Sequence, residues 1–197
     1  MSKKAATLTD TKFNQLIKHV ENGNHGLRNK AILFLSFKCG LRSKEIASLV
    51  LNDVLETDGT IKDELQLLQA YTKGEKHRMV PLSNPKVRKV LQEWVDYRKE
   101  NDGSLFNAGS PLFRSQKGSF FTANTMVKLL KNLFDKAGRG FEDCSSHSGR
   151  RTLITKLVNQ GISLNKVKVI AGHESISTTM EYVDTNPDEL GQIMKNV

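Results

Sequence analysis

ELQLLQAYTKGEKHRMVPL, residues 64–82, is the stretch on which the fold class turns. Leu65, Leu67 and Gln69 alternate with Gln66, Leu68 and Ala70, and Met79-Val80 follows a polar turn at Lys73-Gly74-Glu75. Alternation around a glycine-bearing turn marks a β-hairpin, and the spacing predicts strands over residues 64–72 and 76–81. Elsewhere the apolar period is helical. The fold class is therefore mainly α with a small antiparallel β-sheet, an α+β arrangement.

Upstream of the hairpin, Phe13, Leu16, Ile17 and Val20 share one helical face behind a cap at Thr9 or Asp10. A second helix is predicted over residues 27–39, stopped by Gly40. A short one begins after Ser43 and carries Glu45, Ile46 and Leu49, and Asp58-Gly59 marks a turn. Downstream, Pro85 opens a helix with Val87, Val90, Leu91 and Trp94 on one face. Residues 101–111 read as a loop rich in Gly, Asn and Ser. Thr122 caps a helix bearing Met126, Leu129, Leu130, Leu133 and Phe134. The last third is helical in short pieces, over residues 147–160, 163–171 and 176–183, broken at Gly161 and Gly172. Asn186-Pro187 starts a final short helix striped with Leu190, Ile193 and Met194.

The chain of 197 residues suits one domain, or one large and one very small one, and its 38% hydrophobic content is enough for a real core. Thirty Lys and Arg against 21 Asp and Glu leave a net charge of +9, which favours an anionic partner, nucleic acid first. Cys39 lies in an apolar run and reads as core, and neither it nor Cys144 sits in a C-x-x-C pair, so no zinc ribbon or disulfide framework is indicated. The basic residues 1–6 are not followed by an apolar signal core, and the longest apolar run, residues 31–37, is too short to span a bilayer. A cytoplasmic protein is the expectation, with no membrane partner.

Four segments carry the chemistry. His147 and Arg150 are three residues apart, share a helical face, and sit at a helix start, where free N–H groups and the dipole attract an anion. That reads as a phosphate site; the bland alternative is a solvated basic face. Arg42 follows Gly40 at a helix–helix turn. It is either a second fork for phosphate oxygens or a cap on the preceding carbonyls. Glu45 is expected to orient basic groups through hydrogen bonds. Lys73 stands at the hairpin tip, with Lys76, His77 and Arg78 adding charge behind it. His173 and Tyr182 are nine residues apart and would point oppositely on one continuous helix. Gly172 and the Ser175–Ser177 stretch argue for a break that lets both approach one site. Tyr182 alone is equally readable as a packing tyrosine.

Taken together and in this order, the four segments resemble the catalytic domain of tyrosine recombinases, the phage-integrase family. Gly40-Leu41-Arg42-x-x-Glu45-Ile46 is similar to that family's first arginine box. Thr72-Lys73-Gly74-x-Lys76-x-Arg78-x-Val80-Pro81-Leu82 is similar to its lysine hairpin. His147-x-x-Arg150 and Gly172-His173-x8-Tyr182 are similar to its second box. The likeness runs over residues 8–186. Gly149, Arg151 and Ala171 depart from residues common in the family, at positions that bear on packing around the site.

The resemblance implies a tyrosine recombinase catalytic-domain fold over residues 1–186. It also implies a tail helix over 187–197 that docks on a neighbouring subunit, the alternative being a tail folded back on its own domain. Length is a departure: most members carry a separate N-terminal core-binding domain, for which 197 residues leave no room, so a catalytic fragment or a short member is expected. The expected catalytic set is Arg42, Lys73, His147, Arg150, His173 and Tyr182, supported by Glu45. Lys44, Lys76, Arg78 and Arg151 are expected to contact DNA. The implied activity is site-specific recombination, for integration or inversion, through a 3′-phosphotyrosyl intermediate with no cofactor and no metal. Double-stranded DNA is the expected partner, with a homotetramer assembled on it and accessory DNA-bending proteins. Three rivals stand beside this reading: a DNA-binding regulator that does not cut, a type IB topoisomerase, and a structural or RNA-binding basic protein. The last lacks an aromatic stacking motif.

Overall fold

The computed structural model describes residues 4–67, 78–116 and 118–183. The chain divides into two compact units, Met1–Leu153 and Ile154–Val197. In the first, helix α1 (Asp10–Glu21) starts where Thr9 accepts a hydrogen bond from the Lys12 N–H, and it buries Phe13, Leu16, Ile17 and Val20. Helix α2 (Gly26–Lys38) is buried on nearly every side from Ala31 to Phe37, with Ala31, Ile32, Leu33, Phe34, Leu35 and Phe37 all inside. A helix of that kind belongs at the centre of a core. It packs against α1, where Phe13 lies 4.9 Å from Phe37 and 5.5 Å from Phe34, ring centre to ring centre. It also packs against α5 (Pro85–Asn101), a helix capped by Asn84. Gly40, in the left-handed region at φ 67°, ends α2 and turns the chain directly into α3 (Ser43–Ser48).

Helix α4 (Leu51–Val54) follows, its first turn held by Asp53, which accepts from the Val50 N–H. It was not expected, because four residues are too few to show a period. Strands β1 (Glu64–Leu67) and β2 (Arg78–Pro81) pair antiparallel, with Leu65 opposite Val80 and Leu67 opposite Arg78. The rest of the predicted hairpin, residues 68–77 with Lys73, Lys76 and His77, lies outside the described residues. The Gly, Asn and Ser-rich loop is more ordered than its composition suggested. It contains a 3-10 turn over Gly103–Leu105, and its carbonyls at Ala108 and Ser110 accept from Asn52 and Leu51. Helix α6 (Ala123–Ala137), capped by Thr122, buries Met126, Leu130, Leu133 and Phe134 and packs on α3.

Helix α7 (Ser148–Asn159) begins in the first unit. A Cβ added at Gly149 would stand 2.2 Å from Ser36 Oγ and 2.9 Å from the Ser36 carbonyl carbon, so the helix start lies flush on α2. The missing side chain is a packing requirement of this chain. Replacing Gly149 with Ala removes a flexible residue from a helix, yet the clash with backbone dominates. The expected result is a loss of about 1–3 kcal/mol, the usual range for overpacking, read as a lowered denaturation midpoint at unchanged slope.

In the second unit, Ile154, Val167 and Ala171 form a small core, with Leu157, Val158 and Tyr182 packed on it. Helix α8 (Leu164–Ala171) ends at Gly172, left-handed at φ 61°. Helix α9 (Ile176–Met180) is shorter than the predicted 176–183. The N–H groups of Tyr182 and Val183 bond carbonyls only three residues back, at Thr179 and Met180, so the chain tightens out of α geometry before Tyr182. The tail, residues 187–197, lies outside the described residues. No helix among the described residues is long and apolar enough to cross a membrane.

Candidate active site

In the first unit the site is built where two helices begin. The tight exit from α2 through Gly40 sets Arg42 as the residue that precedes α3, and its backbone N–H donates to Glu45 Oε2 at 2.7 Å. The Arg42 guanidinium donates to the other oxygen, Oε1, at 2.8 Å. From the hairpin, Arg78 Nη2 reaches Glu45 Oε2, also at 2.8 Å. Glu45 has no solvent-exposed surface at all, so its oxygens are served by these donors in place of water. Arg78 is itself buried, on the same face of the hairpin as Leu65, Leu67 and Val80. Burial lowers its pKa from the ordinary arginine value; the Glu45 carboxylate opposes that shift, and the neighbouring Arg42 adds to it. One buried carboxylate thus ties two guanidinium groups to a single point, one from 3 residues away and the other from 33.

Arg150, in the first turn of α7, is buried and donates from Nη1 to the carbonyl of Gly40 at 2.8 Å. Gly40 therefore ends one helix and anchors the arginine of another. His147 lies one residue ahead of α7 and is exposed; its carbonyl accepts from the Arg151 N–H. Its Nδ1 lies 3.3 Å from Ser146 Oγ, while Ser148 Oγ accepts from the Ser145 N–H. Arg42, Ser43, Lys44, Ser146, His147 and Arg150 line one cleft of about 300 Å3, together with Ala123 and Val127. Two guanidinium groups, an ammonium, an imidazole and the N-terminus of α7 at one small cleft make a site for an anion with several acceptor oxygens. Arg151 shares the α7 start but does not line that cleft.

In the second unit, Tyr182 is half-buried and rests on the Ile154, Val167 and Ala171 core. Its ring lies nearly parallel to that of His173, at 22° with centroids 5.9 Å apart. His173 Nδ1 is 2.9 Å from Thr179 Oγ1. The break at Ser175, whose side chain caps α9, brings His173 and Tyr182 together across nine residues, as the spacing required. Sequence reasoning missed Thr179, Ser146 and the Gly40 carbonyl. Each acts through a contact that no local pattern announces. Lys73 and Lys76 lie outside the described residues.

The cysteines are poor alternative nucleophiles. Burial pushes the Cys39 thiol up to about 12 against the opposing pull of Arg78, and burial raises Cys144 as well. Among the described residues no group of three His, Cys, Asp or Glu side chains is gathered as a metal ion would need.

Comparison with known proteins gives this geometry a setting. The model of the phage integrase family matches residues 6–189. Tyrosine recombinase XerC of Pelobacter propionicus is 30% identical over 173 residues, covering 88% of this chain and 53% of that protein. The chain spans about half the length of the curated relatives it matches. Among solved structures, XerA recombinase matches with a TM-score of 0.75 at 22% identity, over 100% of this chain and 66% of that one. The Tn1549 transposon integrase in complex with transposon right end DNA matches with a TM-score of 0.75 at 19% identity, over 100% and 67%. At such identities these two structures speak for the fold alone.

Proposed function

Because the chain belongs to the phage integrase family, we propose that it cuts and rejoins double-stranded DNA at specific sites, with Tyr182 as the nucleophile. The observation that carries this reading is the cleft at which Arg42, His147 and Arg150 meet, with buried Glu45 setting Arg42 in place. The scissile phosphodiester binds there. Arg42 and Arg150 take its non-bridging oxygens and stabilise the charge of the five-coordinate transition state. The phenol oxygen of Tyr182, from the same chain or a second copy, attacks phosphorus as its proton passes to His147. The bond from phosphorus to the 5′ oxygen breaks, and Lys73 protonates that oxygen as it leaves. His173 adds a hydrogen bond to the same phosphate. One ester replaces another, so the 3′-phosphotyrosyl link keeps the bond energy for a 5′-hydroxyl of another strand to reverse the step. No nucleotide cofactor and no metal is required by that balance.

Lys44, Lys76 and Arg151 are assigned to the DNA backbone in this reading. Arg78 is assigned to holding Glu45, since its guanidinium is buried against that carboxylate. The product is integration or inversion, carried out in the cytoplasm by a tetramer on DNA, with accessory DNA-bending proteins where the site needs them. Residues 187–197 dock on a neighbouring copy, beyond a catalytic domain over 1–186. The test is incubation with a nicked DNA whose short 5′-hydroxyl fragment diffuses away after cleavage. A covalent protein–DNA band on a denaturing gel is expected, undiminished by excess chelator. A band that vanishes with chelator, or never forms, ends the proposal.

A further inference from the structure

Thr179 sits in α9 with none of its surface exposed, yet its side chain is polar. A buried hydroxyl has to be satisfied, and the partner of this one is an imidazole: Oγ1 lies 2.9 Å from His173 Nδ1. The Tyr182 ring lies nearly parallel beside the same imidazole, with centroids 5.9 Å apart. One contact fixes the ring's edge and the other limits its rotation. Resting on the reading above, we propose that Thr179 is a positioning residue. Its hydroxyl holds Nδ1 and can donate to it, which supports the tautomer with the proton on Nε2, so that His173 meets the scissile phosphate as a hydrogen-bond donor and not as the base.

An imidazole has two nitrogens. Nδ1 is engaged with Thr179, so any bond from His173 to a substrate phosphate runs through Nε2. Non-bridging phosphate oxygens only accept, and only an Nε2 that bears a proton can serve them. In a neutral ring that proton leaves Nδ1 bare, and a bare Nδ1 needs a donor. The threonine O–H, 2.9 Å away, can be that donor, which a group that only accepts could not. Should the ring take a second proton, Nδ1–H donates and the same oxygen accepts, so the ring keeps its place in either state. A carboxylate at position 179 would do the reverse. It accepts only, places the neutral proton on Nδ1, and leaves Nε2 as a base. The choice of a hydroxyl therefore divides the labour of the two histidines. His147, exposed and 3.3 Å from Ser146 Oγ, is held more loosely and keeps the role of proton acceptor.

The experiment uses the full chain labelled with 15N-histidine, with the His173 signals identified by their loss in His173→Asn. Long-range 15N–1H correlations distinguish the two neutral tautomers directly. The wild type is expected to show His173 protonated on Nε2. Thr179→Val, which keeps the shape and removes the hydroxyl, shifts the signal toward the other tautomer. It also slows cleavage of nicked DNA about tenfold, the scale of one net hydrogen bond, with DNA affinity unchanged. Thr179→Ser restores both. An Nδ1-protonated His173 in the wild type overturns the proposal, as do Val and Ser variants that cleave alike. The wild-type spectrum decides even if the Val variant folds poorly. Absence of a phosphotyrosyl adduct in the wild type would instead remove the recombinase reading, and the spectrum would still report on Thr179.

Discussion

Tyr182→Phe is expected to bind DNA as the wild type does and to form no covalent adduct. The substitution keeps what the structure shows the residue doing mechanically. The ring still rests on Ile154, Val167 and Ala171, and it still lies against His173. Only the phenol oxygen is lost, and with it the atom assigned to attack phosphorus. Removing a nucleophile from a preorganised site costs on the order of 10^4-fold or more in rate, so on an ordinary time course the covalent band is absent. Thermal denaturation and a DNA-binding isotherm serve as controls, and both should stay near wild type. A surviving adduct would place the nucleophile elsewhere. Loss of binding together with the adduct would show that Tyr182 holds the fold or the DNA, the packing role that is its plainest alternative.

The parts of this molecule legible in its sequence are those decided within a few residues. Thr9 and Thr122 each cap a helix by accepting from an N–H three positions on, so their residue types disclose the helix starts, and Pro85 marks a third. Gly40 and Gly172 end helices at left-handed φ angles that side chains avoid, and both ends were readable. The hairpin was readable because alternation has its own period. What stayed hidden depends on contacts between distant positions. Alternation places Arg78 with Val80 on one face but does not say that this face is covered, nor that a carboxylate 33 residues upstream waits beneath it. The Arg150 guanidinium finds the Gly40 carbonyl 110 residues away. Thr179 looks like any threonine in a Ser- and Thr-rich stretch until packing buries it against His173. Charged residues were recognisable by type and spacing. Of the groups that aim them, Glu45 was recognisable beside Arg42 in the same short box, whereas Ser146, Thr179 and the Gly40 carbonyl were not, because their aiming is a property of packing.

Arg42→Lys tests that distinction between charge and aim. Arg42 carries two demands at once: one guanidinium nitrogen holds Glu45 at 2.8 Å, and the residue also lines the anion cleft. A planar fork can meet both, since its five donors point in fixed and different directions. An ammonium is one point charge. Beside a carboxylate with no exposed surface it will be drawn to that partner, because leaving Glu45 with fewer donors is costly. The phosphate then loses a donor while the cleft keeps its formal charge. The expected result is cleavage slowed by about 10^2–10^3-fold, the usual effect of removing one preorganised donor from a developing oxyanion. DNA affinity and its salt dependence should change little, because those follow the number of cations near the backbone. Arg42→Ala separates the two demands further. It strips both the charge and one of the donors to Glu45, so it should lower the melting temperature as well as the rate. Near-normal cleavage by Arg42→Lys would mean that the residue only ties α3 to its carboxylate, and the cleft would then lack one of the two forks on which the transition-state argument depends.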